Sequence, residues 1–428
     1  MTGSSTQASG GAFSSLKIRD YRVLWWAGLF SFMSVQMQFL LRGILAWDLT
    51  LRERSVGTVY FFFGLSMLVT TLMGGVAADR LPKRLVLLVS QSFITAAAVG
   101  MGIVVVTDRE EFWMLLVAAV MQGGSFGFLG PARVAFSAEL VGREQIGNAI
   151  ALTMLSMNGT RVFAPALAGA LAGIAFIGIG GAYLVAGACS VLSLAAMFRL
   201  PAGEPTGAGG GSKNPLADIS NGVRYVFSVP RLRRLVLMSF IVIVFGFNYV
   251  SFIPVYVKDV FGETDAWVGY FSSVGAIGAV AAAYPLASRA DSPLARRIMI
   301  IAGVAFGGLV IGLAYSPWLA LSLLTMVGIG AANTTFQSLS ATLAITESDP
   351  GYQGRVQSIM QLSFAGFGLA ALPLGQLAEM VGLRNAMGVM GAVVVAASLG
   401  YEFFEARDRS TELASSQTAS VAGVVATR

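Results

Sequence analysis

Twelve apolar runs, each about twenty residues long and separated by short polar stretches, constrain this chain more than any other feature. They lie near 23–47, 56–78, 85–106, 112–135, 149–172, 181–199, 235–257, 267–288, 298–315, 318–343, 356–378 and 385–404. A helix rises about 1.5 Å per residue, so a run of this length crosses a hydrocarbon core of about 30 Å. Helical spans also satisfy their own backbone amides where no water can. Composition agrees, since 56% of the 428 residues are hydrophobic and only 12% charged, outside the range of soluble domains. The chain is predicted to be an all-α polytopic membrane protein with twelve transmembrane helices. Its first fifteen residues, MTGSSTQASGGAFSS, have no basic region leading into a cleavable apolar core, so the first run is expected to remain as a span.

Several chemistries are closed to such a chain. It has no histidine and one cysteine, Cys189, which excludes imidazole catalysis, a disulfide framework and a thiolate metal site. No cofactor or metal is expected. No Gly-x-x-x-x-Gly-Lys-Ser/Thr loop is present to cradle ATP. The net charge of +6 is explained by topology. With both termini in the cytoplasm, 21 of the 28 basic residues face inward and five face outward (Arg52, Arg54, Arg109, Lys258, Arg384), leaving Arg42 and Arg161 within spans. No nucleic-acid partner is needed.

The spans group into two halves, 23–200 and 235–405, flanked by cytoplasmic tails 1–22 and 406–428. The intervening 201–234 begins as a Gly/Pro/Ser linker and then places Leu216, Ile219, Val223 and Val226 at helical spacing, which reads as an amphipathic surface helix. Arg22 and Arg234, Asp79 and Asp291, and Pro165 and Pro373 are separated by 212, 212 and 208 residues. That near-constant offset is what two six-helix pseudo-repeats leave in a sequence.

Residues 74–84, GGVAADRLPKR, join spans two and three. With Gly75, Asp79, Arg80, Lys83 and Arg84, they resemble the signature loop of the major facilitator superfamily, though Pro82 stands where that family usually has glycine. In that setting the loop's charges, with Arg133 and Glu139 at the inner end of span four as expected partners, would pair and separate as the protein changes state. Gly159, Pro165 and Gly169 resemble a degraded copy of the glycine-proline motif of exporters in the superfamily. Residues 130–169 resemble its enterobactin-exporter and macrolide-efflux branch. The resemblance implies a twelve-helix major facilitator fold in a bacterial cytoplasmic membrane, without enzymatic activity. It further implies export of a small amphipathic molecule such as a drug or siderophore by alternating access. An importer or lipid flippase of the same fold, and a non-transporting membrane sensor, stand as alternatives.

Candidate binding residues follow. Arg161 lies mid-span with no carboxylate at its depth, so it either anchors an anionic or electron-rich substrate group or bonds carbonyls near Pro165. In the superfamily, spans one, four, seven and ten line the path, and here they carry Gln36, Gln38, Gln122, Asn248 with Tyr249, and Asn333 with Gln337, beside Phe39, Phe126, Phe247 and Phe336. These amides either line a cavity or tie helices together. The arginine that proton antiporters often carry before the Gln122-Gly123 pair is replaced by Ala119, so coupling to protons would have to use Asp48, Glu139 or the substrate itself. Arg42 is expected to snorkel to the outer interface. The anticipated partners are a small-molecule substrate, membrane lipid and protons, with the protein acting as a monomer.

Overall fold

The computed structural model describes residues 13–142, 145–203, 215–287, 292, 294–349 and 352–426. The side chains of residues 72, 74–80, 215–219, 284–287, 354, 358, 361 and 409–426 lie outside that description. The regular structure among the described residues is helical. The first six spans are α1 (Arg19–Thr50), α2 (Glu53–Arg80), α3 (Lys83–Val106), α4 (Phe112–Val141), α5 (Ile146–Ala172) and α6 (Gly178–Met197). The linker helix α7 (Pro215–Ser228) follows. The seventh span is broken into α8 (Pro230–Ile241) and α9 (Tyr249–Val255), with π-helical turns at Val242–Gly246 and Tyr256–Val260. Then come α10 (Asp265–Ala287), α11 (Ala295–Ala314), α12 (Leu319–Thr346), α13 (Gln353–Val381) and α14 (Leu383–Ala426).

Each predicted span thus has its helix. Among the described residues ten helices are long and apolar enough to cross a membrane. α2 and α5, with 28 and 27 residues, are long enough but fall outside that set. In α5 the cause is visible, because Asn158 and Arg161 sit in mid-helix. Outward faces carry Phe163, Leu324 and Met380, 68%, 68% and 82% exposed, as lipid contact requires and water would not tolerate. Inward faces are made of small residues, because helices in lipid associate by close packing. On α4, a Cβ at Gly123 would strike the backbone of Phe63 on α2, and one at Gly127 would strike Thr70 and Thr71.

The chain forms two compact units. The first comprises Met1–Leu216, Ser251–Ala276 and Ala371–Glu379, and the second Ala217–Val250, Ile277–Ala370 and Met380–Arg428. The outer parts of α9, α10 and α13 therefore pack with α1–α6. In the second unit the linker helix is anchored: Tyr225 stacks on Tyr352 with ring centroids 4.1 Å apart, and its hydroxyl accepts the Asp349 N–H at 2.9 Å. The C-terminal tail continues α14 to Ala426, while the N-terminal MTGSSTQASGG lies outside the described residues.

Candidate functional site

Arg161 is held in the middle of α5, whose position against α1 is fixed by side chains that reach backbone carbonyls. The Tyr21 hydroxyl donates to the Ala149 carbonyl at 2.8 Å and the Trp25 indole to Leu152 at 2.9 Å. One turn beyond Arg161, Pro165 has no N–H to return to the Arg161 carbonyl. The guanidinium is partly buried, and among the described residues no hydrogen bond or ion pair engages it. The proposal that it merely ties down carbonyls near Pro165 therefore finds no bond to support it.

Two other arginines lie deep in the same unit. Arg133, on α4 two residues past the helix-interrupting Pro131, is 5% exposed and lies 4.6 Å above the Phe32 ring. Its Nε and Nη2 have no partner. It stands eight residues before the end of α4 at Val141, and its guanidinium faces α1 through Phe32. Arg42 is 2% exposed, 5.3 Å from the centre of the Phe63 ring, with Nη1 unpartnered. This corrects the expectation that Arg42 snorkels. α1 is a central helix with 72% of its apolar window buried, so an arginine near its outer end still faces protein.

The amides divide by exposure. Gln38 is buried and donates to Ser34 on its own helix at 3.1 Å, whereas Gln36 is partly buried. Gln122 is fully buried with neither amide atom bonded. Asn248 occupies the break in the seventh span, where Nδ2 donates to the Val244 and Phe367 carbonyls at 2.5 and 3.0 Å. Tyr249 beside it is buried against Phe306. The two π turns had no signal in the hydropathy pattern; the first contains Val244, whose carbonyl accepts from Asn248. Asn333 and Gln337 are partly buried and bond to each other across one helical turn at 2.9 Å. Among the described residues, Asn248 is the one amide of this set that bonds to another helix.

Where α3 begins and α4 ends, Lys83 Nζ meets Glu139 at 2.5 Å and the Arg84 guanidinium donates to the Phe198 carbonyl at 2.5 Å. Gly75, Asp79 and Arg80 belong to the last turns of α2, and their side chains lie outside the described residues. At the outer end, Lys258 bridges Asp48 at 2.5 Å and Asp265 at 2.7 Å. Nearby, α5 crosses α10 at backbone contact: a Cβ on Gly169 would lie 2.6 Å from the Gly269 Cα, and one on Gly269 2.6 Å from the Pro165 carbonyl. Gly159, by contrast, faces open space. Lys258 was missed in the sequence as the partner of Asp48, since a pair 210 residues apart leaves no local pattern.

A family model described as the Major Facilitator Superfamily matches residues 24–373. The chain belongs to the major facilitator superfamily. As a member of the superfamily it is a multi-pass membrane transporter. It is 25% identical over 329 residues to the enterobactin exporter EntS of Shigella flexneri, covering 76% of this chain and 77% of the relative. The same exporter from Escherichia coli O81 (strain ED1a) is 24% identical over the same length. Among solved structures, the nucleoside transporter NupG superposes with a TM-score of 0.70 at 15% identity, covering 89% of this chain and 98% of that one. A bacterial homologue of the human lysosomal transporter Spinster, in an inward-facing and unoccupied conformation, gives a TM-score of 0.71 at 15% identity, covering 93% and 97%. These superpositions bear on the fold.

Proposed function

We propose that this superfamily member is a secondary active exporter of a small amphipathic molecule, working by alternating access between two six-helix halves in a bacterial cytoplasmic membrane, with both termini in the cytoplasm. The observation that carries the reading is the crossing of α5 and α10, where Pro165 and Gly169 bring two backbones into contact at Gly269. The remnant of the exporter motif thus sits at a backbone-to-backbone helix contact, the kind of seam at which a two-state transporter opens and closes. The relationship to enterobactin exporters over three-quarters of the chain supports the outward direction.

In this reading Arg161 is the anchor for the substrate, with Gln36 and the Asn333–Gln337 pair as adaptable polar contacts. Gln38, Gln122, Asn248 and Tyr249 shape the surrounding helices. Lys258 with Asp48 and Asp265 latches the outer side. One cation shared by two carboxylates leaves an excess negative charge, so proton uptake at Asp48 would release the latch and couple export to the proton gradient. Lys83, Arg84 and Glu139, with Gly75, Asp79 and Arg80 beside them, serve the inner side.

The test compares small molecules in cells and medium by untargeted mass spectrometry for cells making wild type, Arg161→Ala, Gly169→Val, Asp79→Asn or no transporter. Export predicts a compound that accumulates outside only with wild type, while the variants reach the membrane in equal amount and fail. A compound that moves inward, or none that moves, overturns the reading.

A further inference from the structure

The two deep arginines Arg133 and Arg161 stand on α4 and α5, both of which pack against α1. Tyr21 lies against Ala149 and Trp25 against Leu152, so α1 and α5 run in parallel register. Carrying that register forward by equal steps places Arg161 level with residues 33–34 of α1. Arg133 covers Phe32 on the same helix, and a Cβ added at Gly28 would come within 3.6 Å of its Nη1. Beside Arg133, a cavity with about 10 Å³ of free space, room for roughly one water, is lined by Tyr21, Gly28, Phe32, Ser137 and Ser156. Arg133 is 95% withdrawn from solvent and still has two N–H groups without an acceptor.

An unpaired guanidinium at such depth is costly, and a pair of them at one level more so, unless something anionic visits. The hydroxyls cannot neutralise the charge. Ser137 and Ser156 already donate to carbonyls of their own helices, and Tyr21 donates to Ala149. Among the described residues no carboxylate is paired with either arginine. The fork of a guanidinium matches two oxygens of one oxyanion.

We propose that Arg133 and Arg161 form one dicationic site around residues 28–34 of α1 that takes an oxyanion group (phosphate, sulfonate or carboxylate) of the transported molecule. The inference rests on the exporter reading only in naming the occupant as cargo. Binding to the purified protein tests it independently of direction.

The experiment uses the full-length protein in nanodiscs and four probes on one ring system: 1-naphthyl phosphate, 2-naphthalenesulfonate, uncharged 2-naphthol and a 2-naphthyl trimethylammonium salt. Quenching of tryptophan fluorescence, to which Trp25 beside the cavity contributes, reads the affinity. The two anions are expected to bind at least about ten-fold tighter than the neutral or cationic probe, as one charge-assisted hydrogen bond suffices to give. Arg133→Gln and Arg161→Gln each remove that preference, while Arg133→Lys keeps it. The ligand-free Arg133→Gln protein unfolds at a temperature no lower than wild type, which a purely structural arginine would not allow. Equal binding of neutral and anionic probes, or an unchanged anion affinity in Arg133→Gln, overturns the proposal. Anion binding without export in cells would overturn the exporter reading alone.

Discussion

The inner ends of the two halves are built on the same ion pair but use it differently. Lys83 of α3 meets Glu139 of α4, and Arg296 of α11 meets Glu347 of α12. The offsets of 213 and 208 residues fall beside the 208–212 separating the sequence landmarks. In the second unit the pair is one part of a larger network: Arg296 also meets Glu405 at 2.5 Å and the Tyr401 hydroxyl at 3.1 Å, and Arg234 meets Glu405 and Asp408. Deep in the helices the contrast reverses. The first unit holds Arg42, Arg133 and Arg161, each with unpartnered nitrogens or no bond among the described residues, whereas Arg234 and Arg296 of the second are neutralised near helix ends. A duplicated frame has thus kept its end fastenings while its interior charge diverged. One half spends its arginines on cohesion, the other holds them available.

Breaking the larger network should produce the largest effect. Glu405→Ala strips a nearly fully buried carboxylate from two arginines, and its cost is expected to be about 3 kcal/mol, as for a buried pair that loses one member. Thermal unfolding in detergent would show it, and an unchanged midpoint would mean the network does not hold the second unit together. Lys83→Ala probes the simpler counterpart. Glu139 is a third exposed, so a loss of about 1 kcal/mol is expected by the same measurement, and a cost equal to that of Glu405→Ala would erase the contrast. The smallest effect is expected for Arg42→Leu. Replacing an unpaired buried cation by an apolar side chain should leave stability unchanged or slightly raised, and a marked loss would show that Arg42 is bonded into the fold. High salt should weaken the Lys258 latch more than the Arg296 ion pairs, since Asp48 is more exposed than Glu347 or Glu405.

The spans were legible because lipid imposes one demand on every segment, and hydropathy records it locally. Pro165 and Gly169 were legible because a proline and a small residue in a span carry their geometric meaning wherever they fall. Position along a helix was a poorer guide. Arg42 lies eight residues before Thr50, close enough to the end to suggest snorkelling, but direction decides burial and α1 faces protein on most sides. Arg133 was assigned to the inner end for the same reason and points to α1. Pairings such as Lys258 with Asp48 and Arg296 with Glu405 join residues 210 and 109 apart and exist only once the helices are packed. The break at Asn248 was invisible because the π turn leaves the apolar run uninterrupted, and Gly246 within it reads like any other small residue of a span.

The weak apolarity of α5 bears on how the protein is made. A central arginine opposes transfer from the translocon into lipid by about 2.5–3.5 kcal/mol, and Asn158 adds to the barrier. Helix α5 therefore has reason to wait beside the translocon until α1, already inserted, offers Tyr21 and Trp25 to the carbonyls of its inner half. Biogenesis of this half would then be cooperative, with an early helix acting as the receptor for a later one. A substitution such as Tyr21→Phe, which removes one of these bonds without altering α5, would reveal itself as a larger share of chains with α5 left outside the membrane.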